Sequence, residues 1–279
     1  MSDAMSKNRQ VEPLFALTNK IRDRIGGIKH KIMVLSGKGG VGKSFISSML
    51  SLALAERNYR VAIMDADIHG SSIPTLLGLH NARHYADEEG ILPVEGPLGV
   101  KVVAVNLMLD SPDLPVVWRG PLKSRAIIEL LAKVKWPQGD FLILDLPPGT
   151  GDEAITVVQS IKDLTGAIIV TAPNILSEVI VSKAVNFVVK NNVRLLGIVE
   201  NMSYFKCPES GREYPILGRS TGEELARKYN TRLLARIPLD PLIGSALEKG
   251  VPYLLAYPEG EAAKAIRSLA EEVLRILQQ

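Results

Sequence analysis

The stretch Val34-Leu35-Ser36-Gly37-Lys38-Gly39-Gly40-Val41-Gly42-Lys43-Ser44 constrains this chain more than any other. An apolar run, Ile32 to Leu35, reads as a buried strand. A helix opens at Lys43, with apolar residues at Ile46, Met49, Leu50, Ala53 and Leu54. Strand, G-x-x-x-x-G-K-S, helix is the context of a phosphate-binding P-loop. Gly37, Gly39, Gly40 and Gly42 let successive backbone N–H groups converge on phosphate oxygens without Cβ clashes, at a helix N-terminus that favours anions. Lys43 is expected to reach the β- and γ-phosphates, and the Ser44 hydroxyl to ligate Mg²⁺. The segment Gly37 to Ser44, Val41 included, is therefore the expected cradle for ATP.

The rest of the chain alternates in the same way. Apolar strands are expected at Val61 to Met64, Val100 to Val105, Phe141 to Leu144, Ala167 to Val170, Leu195 to Val199 and Leu233 to Ile237. Helical patterns separate most of them, including one after Pro121 (Ala126, Ile127, Leu130, Leu131) and one from Gly260 to Gln279 striped by Ile266, Leu269, Val273 and Leu277. Continuous apolar strands alternating with helices imply an α/β fold: a doubly wound, mostly parallel sheet with helices on both faces. Residues 80–99 read as an irregular excursion. Before the first strand, Val11, Leu14, Thr18, Ile21 and Ile25 fall at helical spacing, and Gly26-Gly27 ends that helix. The expected organisation is an N-terminal tail and amphipathic helix over residues 1–27, then one P-loop ATPase domain over residues 28–279.

Composition excludes several classes. Of 279 residues, 46% are hydrophobic and 23% charged, as in globular proteins, and no apolar run is long enough for a membrane span. No signal-peptide pattern stands at the N-terminus. One cysteine, Cys207, excludes an internal disulfide framework and suits a cytoplasmic location. The net charge of +3 demands no polyanionic partner. Residues 1–31 carry seven Lys/Arg against three acids; a solvated helix face is the simpler reading of this than a nucleic-acid arm. His80 and His84 stand four apart, a zinc-like spacing, but no third ligand accompanies them.

Ligands of doubly wound sheets bind at the carboxyl ends of the strands, where this sequence places its polar clusters. One is Asp65-Ala66-Asp67-Ile68-His69-Gly70-Ser71-Ser72-Ile73-Pro74; the other is Asp145-Leu146-Pro147-Pro148-Gly149-Thr150-Gly151-Asp152-Glu153. Phosphoryl transfer to water needs one carboxylate to orient the water and another group to hold the metal's shell. Asp145, closing an apolar strand, is placed to bind Mg²⁺ through water. Aspartates at strand ends also cap helices and shape turns, which is the competing reading.

Lys38, directly after the first glycine, is more than an ordinary P-loop requires. With it, the loop resembles the deviant Walker A motif of the family that includes the nitrogenase iron protein, the MinD and ParA ATPases and the Mrp-type iron–sulfur carriers. Adding Asp65-Ala66-Asp67, Trp118-Arg119-Gly120-Pro121, Asp145 to Asp152 and Glu200-Asn201-Met202-Ser203 narrows the resemblance to the Mrp/ApbC branch, from about residue 28 to the C-terminus. That resemblance implies an ATP-hydrolysing homodimer that assembles an iron–sulfur cluster and passes it to apoproteins. It implies that Lys38 reaches the partner subunit's phosphates, that Asp67 positions the attacking water near Mg²⁺ with Asp65 behind it, and that Asn201 reads the adenine edge. Pro238, Leu239 and Asp240 would lie on the base's other side.

The chain departs from that pattern in two places. His69 and Ser71 stand where the family usually has an aromatic residue and a proline. The family's C-x-x-C cluster ligands appear here as Cys207-Pro208-Glu209-Ser210. A serine oxygen is a poorer ligand for cluster iron than a thiolate, so a [4Fe-4S] cluster would have to be bridged between subunits, each giving one thiolate. Ser210, water or a small thiol would complete it. Two alternatives stay open: a MinD/ParA-like nucleotide-switched dimer that binds a protein or DNA without a cluster, and a nucleotide-binding scaffold with negligible turnover.

Overall fold

The computed structural model describes residues 14–108, 120–173 and 177–279, so Val11, Trp118 and Arg119 lie outside the described residues. In chain order, α1 (Leu14–Ile25) leads into β1 (Ile28–Ser36), α2 (Lys43–Ala55), β2 (Val61–Asp65) and the single turn α3 (Ile73–Leu76). Four short strands follow: β3 (Tyr85–Asp87), β4 (Gly90–Leu92), β5 (Val94–Glu95) and β6 (Lys101–Ala104). Then come α4 (Gly120–Lys133), β7 (Gly139–Asp145), α5 (Asp152–Ser160), β8 (Gly166–Thr171), α6 (Ser177–Lys190) and β9 (Leu195–Glu200). The remainder is β10 (Phe205–Lys206), β11 (Glu213–Tyr214), α7 (Gly222–Lys228), β12 (Leu233–Arg236), α8 (Leu242–Glu248), α9 (Tyr253–Ala256) and α10 (Glu261–Leu277).

Eight strands form one sheet in the order β12-β9-β8-β1-β7-β2-β6-β5. Every neighbouring pair is parallel except β5, which runs antiparallel along β6. Parallel strands need helical crossovers, and both faces of the sheet are covered. The central strands divide their side chains between the two faces with a period of two. Ile32 and Val34 of β1, Ile63 of β2 and Ile143 of β7 join one core with α2 and α10; Met33, Leu35, Met64 and Leu144 join the other with α1, α4 and α6. Burial on both faces is why these strands read as unbroken apolar runs.

The helices keep their expected stripes with small shifts. Among the side chains of α1 described from residue 17 onward, Leu17, Ile21 and Ile25 are buried, Leu17 taking the place expected of Thr18. On α10, Ile266, Leu269 and Val273 are fully buried against the core containing α2. Lys31 is buried at the start of the sheet, its Nζ donating to Ile28 O (2.7 Å) and Asp163 (2.8 Å), which satisfies a charge that would otherwise be costly.

The segment 80–99 is more ordered than its pattern suggests. Strands β3 and β4 form an antiparallel hairpin, and β5 extends the sheet edge. Strands of two or three exposed or half-exposed residues show no apolar periodicity, so nothing in the sequence marks them. His84 fastens this excursion to β6: its Nδ1 donates to Leu92 O (2.9 Å) and its Nε2 accepts from Ala104 N (3.2 Å). Both ring nitrogens are thus committed to backbone rather than to a metal.

Burial holds the His84 imidazole below its ordinary pKa of 6.5, against the pull of the bond to Leu92 O. A base lowered in the folded state takes up fewer protons than in the unfolded chain, so stability is present above the ordinary pKa and falls as pH drops through and below it. Other groups titrate in the same window, Asp65 in the opposite sense, so the His84 contribution is read as a difference: on acidification from pH 7.5 to 5.5 we expect the wild-type urea midpoint to fall relative to that of His84→Gln, which cannot titrate. Parallel slopes in the two proteins would refute this role.

Candidate functional site

The glycine loop leaves β1 at the middle of the sheet and turns into α2. Gly40 (φ 79°) and Gly42 (φ 75°) adopt the left-handed conformation that a Cβ disfavours. A Cβ on Gly42 would stand 2.2 Å from Asn201 Nδ2, and one on Gly37 would stand 2.3 Å from Ile180 O. The glycines are therefore required by backbone conformation and by close packing. No acidic residue occupies the first turn of α2, so its N-terminus is open to an anion. A cavity of about 380 Å³ lies over it, lined by Gly39 to Phe45 together with Asp67, Gly70, Ser72 and Pro148.

Behind the loop sits Asp145, fully buried at the end of β7. Its Oδ2 lies 2.6 Å from Lys43 Nζ and accepts the Ser44 hydroxyl at 2.6 Å; its Oδ1 accepts the Ser47 hydroxyl at 2.6 Å. Asp65 stands beside it in register on β2. The Asp65 carboxylate accepts from the Ser71 hydroxyl (2.8 Å) and from the N–H groups of Asp67, Ser72 and Ile73. Burial and the neighbouring Asp145 push its pKa up to about 7, with Lys43 and the hydrogen bonds pulling the other way. Asp65 thus folds the loop that presents Asp67, and Ser71, the departure from the family's proline, is one of its donors. Asp67 accepts from Gly70 N–H (3.0 Å) and lines the cavity.

On the opposite side of the loop, Asn201 follows β9 and donates its Nδ2 to Val41 O (2.9 Å). The preceding Glu200 is fully buried and takes four donors: the Ser203 and Ser220 hydroxyls and the N–H groups of Thr221 and Gly222. Arg236 donates to Ser203 Oγ (3.0 Å) and lies over the Tyr204 ring. This network clamps the base of the β10–β11 hairpin, whose tip begins at Cys207. The Cys207 N–H donates to Arg212 O, and its carbonyl accepts Gly211 N–H, both at 2.9 Å. Hydrogen bonds from the Ser210 side chain, then from the Ser210 and Glu209 N–H groups, hold the thiol below its usual range. Ser210 therefore serves as a donor to the thiolate.

Pro238, Leu239 and Asp240 do not line the cavity over the glycine loop. They wall a second one, of about 450 Å³, together with Phe205, Lys206 and Cys207. Asp240 is held by Tyr253 (2.5 Å) and Leu242 N (2.9 Å). Lys38 is half-buried, makes no ion pair among the described residues and lies outside the lining of the first cavity. The structure thus brings Lys43, Ser44, Asp67 and Asp145 together, with Asn201 under the loop, and sets Pro238 to Asp240 with Cys207. Sequence reasoning passed over Ser47 and, while counting Glu200 in a motif, gave it no role. Ser47 lies one helical turn after Lys43, a signal that was available; the four donors of Glu200 come from two segments, which no spacing reveals.

A parallel sheet whose first strand ends in this loop, with a lysine and a serine on a buried strand-end aspartate, defines a P-loop nucleotide-binding protein. The family model for ParA, described as NUBPL iron-transfer P-loop NTPase, matches residues 27–274. An iron-sulfur cluster carrier protein of Saccharolobus solfataricus is 43% identical over 276 residues, covering 99% of this chain and 92% of that one. The cytosolic Fe-S cluster assembly factor NUBP2 of Gallus gallus is 38% identical over 257 residues, covering 91% and 94%. Among solved structures, a nucleotide-binding protein in complex with ADP from Archaeoglobus fulgidus superposes with a TM-score of 0.77 at 36% identity, covering 88% of this chain and 95% of that one. The chain belongs to the NUBPL iron-transfer P-loop NTPase family.

The contact between Gly42 and Asn201 generates a prediction. Gly42→Ala places a methyl group against the amide in a conformation that costs alanine about 1–3 kcal/mol. We expect ADP affinity to fall at least about tenfold by calorimetry, with the fold retained by circular dichroism. Unchanged affinity would show that the loop moves freely away from Asn201.

Proposed function

We propose that this chain is an ATP-hydrolysing iron–sulfur cluster carrier that works as a homodimer, loading a cluster at Cys207 and passing it to apoproteins or assembly factors. The observation that carries this reading is the single hydrogen bond from Asn201 to Val41 O, because it joins the glycine loop to the segment that ends in the Cys207 hairpin. A nucleotide that reshapes the loop acts directly on the strand end from which the cysteine is presented. The names of the relatives support a carrier and do not favour a nucleotide switch without cargo. A cytoplasmic location fits the single free cysteine and the cytosolic relative; no helix among the described residues is long and apolar enough to cross a membrane.

Each residue of the ATP site has a definable task. The loop N–H groups and Lys43 bind the phosphates; Lys43, now on Asp145, would exchange that partner for the β- and γ-oxygens. The Ser44 hydroxyl and the Asp145 carboxylate offer the oxygen donors that Mg²⁺ takes, and Mg²⁺ bound there would neutralise phosphate charge. Asp67 orients the attacking water. Lys38, without an intrachain partner among the described residues, stabilises charge on the partner subunit's transferred phosphoryl group. Asn201, held against the glycine loop, would meet the base, while Pro238 to Asp240 face the separate cavity that Cys207 also lines.

Lys43→Ala should abolish ATP binding in calorimetry; unchanged affinity would remove the site from the loop. Lys38→Ala and Asp67→Ala should bind ATP and lose most phosphate release. Mixing the two variants should restore part of it, since a heterodimer has one site with both residues intact. Wild-type turnover in either single variant refutes the role given to that residue.

One chain supplies one thiolate, and among the described residues no three His, Cys, Asp or Glu side chains converge as a metal site. A cluster carried as cargo must then be bridged between two subunits, weakly enough to be handed on. Anaerobic reconstitution with iron and sulfide should give about four irons per dimer, lost in Cys207→Ala. Ser210→Cys, which sets a second thiol beside the first, should hold the iron more firmly. Iron uptake by Ser210→Cys and none by the wild type would overturn the carrier reading for this chain.

A further inference from the structure

Ser36 closes β1, one residue before the glycine loop, and is 1% exposed. Its carbonyl accepts the N–H of Gly149 (2.8 Å), which ties the strand end to the segment after β7. Its hydroxyl has no hydrogen-bond partner. Three other buried side-chain atoms among the described residues share that condition, on Ser48, Asn106 and Thr221, and none of those residues lines the cavity over the P-loop. Ser36 does, with Lys43, Ser44, Asp67 and Pro148.

A buried hydroxyl without a partner is a net cost, and native structures keep few of them. The four strand positions before Ser36, Ile32 to Leu35, are all apolar, and an alanine would fit this one without that penalty. The hydroxyl is accounted for if its partner arrives with a ligand. The glycine-loop N–H groups and the start of α2 already serve the inner phosphates. Ser36 lines the same cavity as Asp67, the residue proposed to orient water at the phosphorus under attack.

We propose that the Ser36 hydroxyl donates a hydrogen bond to the terminal phosphoryl group of a bound nucleoside triphosphate, which makes it a residue that distinguishes triphosphate from diphosphate. The inference rests on the nucleotide-binding reading above. A hydrogen bond to a charged phosphate oxygen is stronger than one between neutral groups, so its loss is measurable. Because Gly149 is held by the same residue, a terminal phosphate meeting Ser36 also meets the segment that follows Asp145.

The test compares wild type with Ser36→Ala in calorimetric titrations with Mg²⁺ and either ADP or a non-hydrolysable ATP analogue, and in thermal melts without nucleotide. We expect Ser36→Ala to lose about tenfold in affinity for the triphosphate analogue, to keep ADP affinity within about twofold, and to melt at the same temperature or higher. A structural role would instead lower the melting temperature and weaken both nucleotides alike. Equal losses, or no loss for either ligand while wild type binds both, overturn the Ser36 assignment and leave the P-loop reading intact. Wild type that binds neither nucleotide overturns both.

Discussion

The buried carboxylate of Asp145 is the interaction on which the site depends. A carboxylate withdrawn from water at the end of a central strand costs several kcal/mol unless it is paired and hydrogen-bonded. Here Lys43, Ser44 and Ser47 satisfy it together, each at 2.6 Å. All three lie in the first turns of α2, so the requirement to satisfy one charge sets where the helix begins relative to β7. The glycine loop spans the gap so defined. Its backbone can point N–H groups inward only because Gly40 and Gly42 carry no Cβ in the left-handed region.

The placement of Asp65 beside Asp145 adds a second constraint. Two carboxylates in register on adjacent buried strands repel, and burial raises the Asp65 pKa towards neutrality. The loop after β2 answers this with four donors, and in wrapping around Asp65 it presents Asp67 to the cavity. An electrostatic problem in the sheet is thereby converted into a shaped loop above it. Ser71 contributes the one side-chain donor among the four.

Glu200 does for the hairpin what Asp145 does for the loop. Its four donors tie the end of β9 to the start of α7 and to Ser203, and through Arg236 to Tyr204. Asn201, next in sequence, grips the glycine loop. The nucleotide site and the cysteine therefore share a short, well-satisfied connection between rigid elements. That connection is the physical basis for the proposed link between nucleotide and Cys207. Ser210 fits the same picture, since its hydrogen bonds favour the thiolate form of Cys207 over the thiol.

The fold class, the parallel sheet and the loop with Lys43 and Ser44 were legible in the amino-acid order, because each rests on local periodicity or on a fixed spacing. Apolar strands buried on both faces announce themselves, and so do four glycines before a lysine. Asp65 and Asp145 were legible for a related reason: a polar residue that ends an apolar strand must sit at the sheet's carboxyl edge; Asp67 was singled out through the family resemblance. The short strands β3 to β5 were not legible, since two or three exposed or half-exposed residues carry no period. The roles of Ser47 and Glu200 were missed because the partners that give them meaning are distant in sequence and meet only across the sheet. Tertiary structure alone decided that Pro238 to Asp240 wall a cavity with Cys207 and not the one over the glycine loop. It also decided that Ser210 turns its hydroxyl to Cys207 and that the Ser36 hydroxyl is buried without a partner. These are facts of packing, in which segments far apart in the chain compete for the same space and the same hydrogen bonds, and local order does not encode the outcome.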